Sequence, residues 1–467
     1  VTNPPSDAIV FFGATGDLAH KQIFPALLGL VRDEGLNVPI IGMGRAKWSL
    51  DQFKARAADS VAQNGPRQRG DAHADATQRL LSLLHYVQGD YSDADTFNRL
   101  RKELGDAKRP LHYLAVPPSM FATVASGLAS SGCATDARLV IEKPFGHNRG
   151  SARELSRLLD EYFPESSIFR IDHYLGKEPV QNILYTRFAN SMFEPIWNRD
   201  HVSLIQITMA EDFGVQDRGR FYDETGAIRD VVQNHMLQVL ANLTMEPPTG
   251  EEHEAMRDQK AALLKAVRPL DPGNVVRGQY AGYQAVGGVR PGSGVETFVA
   301  VRLFIETWRW AGVPIYIRAG KKLPVTATEV TVHFKRPPRE TFEERVPTNS
   351  SHMRIRISPD VTIGMGVRVK LPGERMIGED VEMILTEQAV DRASPYQRLL
   401  RDATRGLGEL FGRDDIIDAQ WRIVEPVLDD VTPVYRYEPG SWGPAEAEAL
   451  IGADGPWRDP RLTGGKR

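Results

Sequence analysis

The chain has 467 residues, 41% of them apolar and 25% charged, with 41 Gly, 31 Pro and a single cysteine, Cys133. Lys and Arg number 57 against 61 Asp and Glu, a formal charge of -4, so the basic excess expected of a nucleic-acid binder is missing. This composition excludes a disordered tail, a collagen-like repeat and a disulfide-stapled module, and no apolar run approaches the roughly 18 residues that span a bilayer. The lone cysteine, and the want of a cationic, apolar leader at Val1 to Ser6, point to a reduced, cytoplasmic setting.

Taken in chain order, the first third alternates short apolar runs with helical patterns, the way a parallel sheet covered by helices is written. Strands are predicted at Ala8–Phe12, Val38–Gly42, Leu84–Val87, Leu111–Val116, Leu139–Glu142 and Ile168–Ile171. Helices are predicted over 18–34, 49–62, 93–105, 119–131 and 148–163, with Pro25 inside the first, and the polar stretch 62–78 reads as a surface loop. Beyond about residue 175 the alternation stops. Longer strands follow at His201–Glu211, Val276–Tyr283, Val295–Ile305, Glu329–Lys335, Met353–Ser358, Thr362–Lys370 and Val381–Thr386. Several are successive with no room for crossover helices, which predicts mostly antiparallel pairing. Helical patterns interrupt them at 226–243, 253–267, 395–410 and 414–427, and the last 25 residues read as irregular. The expectation is an α/β Rossmann-type domain over 1–175, then an α+β domain with a large, mainly antiparallel sheet over 176–467.

The first strand runs straight into Gly13-Ala14-Thr15-Gly16-Asp17-Leu18-Ala19 and then a helix. Glycines here permit a tight turn, and the helix N-terminus favours a pyrophosphate. The spacing is G-x-x-G-x-x-A, only part of the usual fingerprint, and a purely structural turn would read the same way. The second strand leads to Arg45, where a site for the dephosphorylated coenzyme would want an acid for the ribose diol. A guanidinium fork suits a 2'-phosphate, so NADP is expected over NAD.

Two polar clusters stand out further on. Arg170-Ile171-Asp172-His173-Tyr174-Leu175-Gly176-Lys177-Glu178 follows a strand end, where open α/β sheets bind ligands, and it supplies donors suited to a phosphorylated substrate. Asp230-Val231-Val232-Gln233-Asn234-His235 lies within an otherwise apolar helix. A neutral histidine suits proton removal near pH 7 when a carboxylate orients it, and both Asp172 and Asp230 are candidates for that carboxylate. Lys143, Glu211 and Lys321 also sit beside Gly or Pro near strand ends. HExxH, CxxC and clustered Cys and His are missing from the sequence, so no metal is expected, and hydride transfer is the simplest chemistry these parts allow.

These residues resemble the glucose-6-phosphate dehydrogenase family. The likeness is carried by the glycine turn, Glu142-Lys143-Pro144-Phe145-Gly146, the Asp172-to-Glu178 segment, Arg229-to-His235, Arg318-Ala319-Gly320-Lys321 and Gly440-Ser441-Trp442-Gly443-Pro444, in family order from residue 8 to about 446. It implies that His235 is the general base, with Asp172 as its partner, and that His173, Tyr174 and Lys177 bind the phosphate of D-glucose 6-phosphate. It further implies Glu211, Asp230 and Lys321 around the sugar, Lys143 near substrate and coenzyme, and Gly13 to Leu18 with Arg45 on NADP. A homodimer or dimer of dimers is implied too, with the second domain's sheet at the interface. One position departs from the family pattern: Thr326 stands where a second basic residue is frequent, which predicts weaker substrate affinity unless Lys322 compensates. Thr326→Lys is expected to lower KM for the sugar phosphate in initial-rate assays.

Overall fold

The computed structural model describes residues 4–65, 71–250, 253–342, 344–347, 351–386 and 393–460. The chain divides into two compact units. One comprises Val1–Glu178 with Gly250–Arg257 and Asp391–Asp418, the other Pro179–Thr249, Asp258–Val390 and Ala419–Arg467.

The first unit is built on β1 (Ala8–Phe12), β2 (Ile40–Gly44), β3 (Leu84–Gln88), β4 (Pro110–Leu114), β5 (Arg138–Glu142) and β6 (Ile168–Ile171). They pair in parallel in the order β3-β2-β1-β4-β5-β6, and a short strand, Phe411–Gly412, adds antiparallel to β6. Strands β1, β2 and β4 are buried throughout, as strands are when helices cover both faces. Along β1 the side chains alternate between two cores. Ile9 and Phe11 join Phe24 and Phe53 in one layer, while Ala8, Val10 and Phe12 join Phe97 and Phe121 in the other. Chain order reverses between β1 and β4, which opens the crevice where such sheets bind nucleotides.

Two local expectations for this unit need correction. Of the polar stretch read as a loop, 66–70 lie outside the described residues, and Asp71–Leu83 is a helix. Ala76 and Leu80, four apart, are buried and give it a narrow apolar stripe within a polar sequence. The first helix is not uniform either: Ala19–Ile23 is a wider π-turn, followed by an α-helix from Phe24 to Asp33. Pro25 falls in the first turn of that α-helix, where a missing N–H is tolerated.

The second unit carries a nine-stranded sheet: β7 (Val202–Ala210), β8 (Val275–Tyr280), β9 (Phe298–Leu303), β10 (Ile315–Gly320), β11 (Ala327–Phe334), β12 (His352–Ser358), β13 (Thr362–Lys370), β14 (Gly378–Thr386) and a short strand, Val434–Tyr437. From one edge the order is β14-β13-β12-β11-β7-β10-β9-β8 and then Val434–Tyr437. Pairing is antiparallel except between β10 and β7 and between Val434–Tyr437 and β8. Neither β10 nor the edge strand is among the predicted strands. The C-terminal stretch is more ordered than expected, with a helix at Glu446–Ile451 and a buried Trp457 whose Nε1 donates to the Ala447 carbonyl at 2.8 Å.

The helix predicted over 226–243 is three pieces. A helix over Gly219–Ala227 is interrupted at Gly226, Ile228–Met236 is π-helical, and Leu237–Thr244 is α-helical. Gly226 has φ of 68°, and a Cβ there would strike the Glu296 carboxylate. That carboxylate is buried at the N-terminus of the π-helix. It accepts the Ile228 N–H at 3.0 Å and two Arg277 donors at 3.1 and 3.2 Å. Breaking a buried ion pair by removing one partner costs about 3–5 kcal/mol. Glu296→Ala is therefore expected to lower the unfolding free energy by about 3–5 kcal/mol, measured from urea unfolding followed by circular dichroism.

Candidate active site

In the first unit the glycine turn sits at the C-terminal end of β1, against the residue that follows β4. Gly13 has φ of 77°, and a Cβ there would run into the Ala115 carbonyl, so the backbone needs glycine. The Gly16 N–H closes the turn on the Gly13 carbonyl at 2.9 Å, Ala14 is buried, and Asp17 and Leu18 open the helix. The turn is tied to β2 by a residue the sequence reading did not single out, Tyr91. Its hydroxyl accepts the Gly13 N–H at 2.8 Å and donates to the Met43 carbonyl at 3.0 Å, while the Ala14 N–H meets the same carbonyl at 3.0 Å. Burial raises the Tyr91 phenol above its ordinary range, so it stays a donor. Arg45 is exposed just beyond β2, its guanidinium carbon 6.0 Å from the centre of the Tyr91 ring. Backbone donors, a helix start and a cation thus meet at one rim of the crevice, a donor set that fits a dinucleotide with a 2'-phosphate.

On the same unit, Asp172 follows β6 and is buried, its Oδ1 accepting the Tyr174 N–H at 2.9 Å. The segment runs on as tight turns, and the helix Glu178–Ala189 starts after Lys177, so His173 and Lys177 are not brought together by helical spacing. Tyr174 gathers them instead. The His173 ring lies edge-on at 5.3 Å between centroids, and the Lys177 ammonium sits 3.7 Å from the centre of the phenol ring. The helix Pro395–Arg405 holds this loop from outside: a Cβ on Gly176 would meet the Pro395 carbonyl at 2.9 Å, and Arg398 donates to Glu178 at 2.6 Å. Lys143 follows β5, and its peptide bond to Pro144 is cis.

In the second unit, His235 is buried near the end of the π-helix, and its N–H donates to Asn234 Oδ1 at 2.6 Å. Gln233, a polar residue of the same segment, is buried as well. Glu211 follows β7 and Lys321 follows β10. Parallel pairing of these strands aligns their ends, and the two side chains form an ion pair. The Lys321 ammonium also lies 5.2 Å from the centre of the buried Tyr222 ring. Tyr222 is the hub of this half. Its phenol is held well above its ordinary value by burial first, and then by the carboxylates of Asp230, Glu296 and Glu211. The charges of Asp230, Glu211 and Lys321, scattered in sequence, therefore bear on one phenol. Thr326 is engaged with Asp212, its hydroxyl accepting that residue's N–H at 3.0 Å and donating to its carboxylate. A lysine at 326 would meet this carboxylate first, which limits the affinity gain expected of it to the ~1 kcal/mol of an exposed pair.

A doubly wound parallel sheet with a glycine turn at its switch point, joined in one chain to a unit carrying a buried histidine, defines a nucleotide-dependent dehydrogenase. Residues 10–182 match the glucose-6-phosphate dehydrogenase NAD binding domain, and residues 184–458 match the C-terminal domain of the same enzymes. The chain belongs to the glucose-6-phosphate dehydrogenase family. It is 44% identical over 464 residues to glucose-6-phosphate 1-dehydrogenase 1 of Mycobacterium tuberculosis, covering 98% of each chain. The crystal structure of glucose-6-phosphate 1-dehydrogenase from Mycobacterium avium superposes with a TM-score of 0.91 at 44% identity, covering 99% of this chain and 100% of that one. A glucose-6-phosphate dehydrogenase in complex with glucose 6-phosphate gives 0.90 at 33% identity, covering 98% of this chain and 100% of that one.

Removing the Tyr91 hydroxyl would leave the part-buried Gly13 N–H without its acceptor and loosen the tie between the glycine turn and β2, a penalty of about 1 kcal/mol. Tyr91→Phe is expected to weaken coenzyme binding by roughly tenfold, measured by fluorescence titration with NADPH.

Proposed function

We propose that the chain oxidises D-glucose 6-phosphate at C1 to 6-phospho-D-glucono-1,5-lactone, the opening step of the oxidative pentose phosphate route. The end-to-end match to one enzyme family, across both units, carries this reading. NADP, when bound, accepts the hydride that leaves C1. The protein's own residues supply the rest. His235 takes the C1 hydroxyl proton, and Asp172 holds its tautomer and offsets the charge of the imidazolium that forms. The Tyr174 N–H on Asp172 Oδ1 supports this role, because it sets the direction of the carboxylate.

His173, Tyr174 and Lys177 are assigned to the substrate phosphate. The ammonium packed on the Tyr174 ring keeps a positive charge in a partly buried loop, where a phosphate binds more strongly than in open water. Glu211, Asp230 and Lys321 are assigned to the sugar hydroxyls, and Lys143 to the boundary between sugar and coenzyme. Gly13, Ala14, Thr15, Gly16, Asp17 and Leu18 cradle the pyrophosphate, and Arg45 takes the 2'-phosphate. In this reading residues 1–175 bind the coenzyme, while 176–467 handle the substrate and subunit association. The enzyme is assigned to the cytoplasm as a homodimer or dimer of dimers. Val381, Met383 and Leu385 support the association: they alternate along β14, share one face near the sheet edge and are exposed. Among the described residues no helix is long and apolar enough to cross a membrane.

The test is initial-rate NADPH absorbance with the purified chain. His235→Asn is expected to lower kcat by about 10²–10⁴ with coenzyme affinity nearly intact, and Asp172→Asn to turn over slowly while still binding sugar phosphate. Near-normal turnover by the asparagine variant at 235 would remove the proposed base.

A further inference from the structure

Strand β5 ends in Glu142, a carboxyl to which the mechanism above gives no task. Two phenols from distant parts of the chain bear on it: Tyr113 from β4 donates to Oε1, and Tyr396, at the start of the helix Pro395–Arg405, favours the ionised form of the same carboxyl. Tyr113 is fully buried, so water does not compete for its hydroxyl. In the sheet, Glu142 stands opposite Ile171 of β6, the residue before Asp172. The titratable and charged groups around it are therefore Tyr113 from β4, Tyr396 from the helix, Lys143 from its own segment and Asp172 from the end of β6. Of these four, one is a cation and two are neutral phenols. Such a shell orients a carboxylate without neutralising it.

The balance of effects is close. Burial raises the proton affinity of Glu142 most, and Asp172 adds to it. Tyr113, Tyr396 and Lys143 act against both, and the carboxyl is left titrating at about 7. A structural carboxylate has no need to be poised within the working range, whereas groups at reaction centres commonly are.

We propose that Glu142 is a positioning residue of the dehydrogenase site: as an anion held by the Tyr113 hydroxyl, it sets a second negative charge beside Asp172 and Lys143 and strengthens the base that Asp172 serves. The inference rests on the assignment of Asp172 as the partner of His235. Its sign follows from electrostatics. A carboxylate beside Asp172 favours the imidazolium that forms as the sugar gives up its proton, and protonating Glu142 withdraws that help. Full rate then needs two deprotonations on the acid side, that of the base and that of Glu142.

The experiment is the pH dependence of kcat/KM for the full chain, from initial rates of NADPH formation between about pH 5.5 and 9. The parent is expected to lose rate toward acid with a two-proton dependence. Glu142→Gln, which keeps shape and an acceptor for the phenols, is expected to show a one-proton dependence and a plateau roughly tenfold lower. Tyr396→Phe removes a polar group acting on Glu142 but no charge. It is expected to move the Glu142 midpoint to higher pH by roughly half a unit to one unit, and it carries the test if the glutamine variant does not fold. A purely structural role would reduce the amount of active enzyme without deleting an ionisation. A Glu142→Gln profile that superimposes on the parent's, or an unmoved midpoint in Tyr396→Phe, overturns the proposal. Full turnover by His235→Asn would instead strike the base itself, so the two failures are told apart.

Discussion

A carboxylate taken out of water costs several kcal/mol unless donors replace the water it loses, and the local structure around both halves of the site follows from how that cost is met. Glu296 meets it with the Ile228 N–H and the Arg277 fork, and in doing so fixes where the π-helix bearing His235 begins. Asp172 meets part of it with the Tyr174 N–H, which curls the loop so that His173 and Lys177 gather on the Tyr174 ring. Glu211 meets it with Lys321, brought alongside by parallel pairing of β7 and β10. In each case the donor set that an acid engages also sets the position of a neighbouring functional group.

Two wide helical turns serve the same end. The π-turn at Ala19–Ile23 follows the glycine turn, and the π-helix at Ile228–Met236 carries Asp230 and His235. Such turns are rare and occur frequently at functional sites. Here the second is held from its N-terminal end. Gly226 leaves the helical region so that the Glu296 carboxylate can approach the first N–H of the wide segment, an approach that any Cβ would block.

How much of this could be read from the chain depends on whether the signal is local. Strands β1, β2 and β4 are legible because burial on both faces makes them short, mostly apolar runs. The motifs are legible because glycine, histidine and lysine at strand ends are unusual in combination. Strand β10 is masked: its Arg318 is fully buried, between Thr208, Asp459 and the rings of Trp442 and Trp457, so a charged residue occupies a core position. The helix Asp71–Leu83 is masked for the opposite reason, because its apolar stripe is too narrow to stand out from a polar sequence. Partners supplied from far along the chain leave no local trace. Tyr91 under the glycine turn and Tyr396 beside Glu142 are ordinary tyrosines in sequence, and their roles exist only once the sheet has formed.

The contrast between Glu211 and Glu142 shows why the kind of partner decides the chemistry. Both follow or close a strand, and both lie close to positions with assigned roles. Glu211 faces an ammonium, a full countercharge that fixes where its carboxylate sits. Glu142 faces two phenols, which supply direction but no charge, with a neighbouring aspartate opposing its ionisation. Burial alone would have left such a group neutral, and a facing cation would have left it charged at any working pH. Two phenols and one lysine leave it between those limits, where a small change in the charge nearby changes its state. When titratable groups share a site, environments that separate their proton affinities also separate their tasks. The residue with a countercharge is suited to holding a ligand, and the residue without one to tuning a reaction.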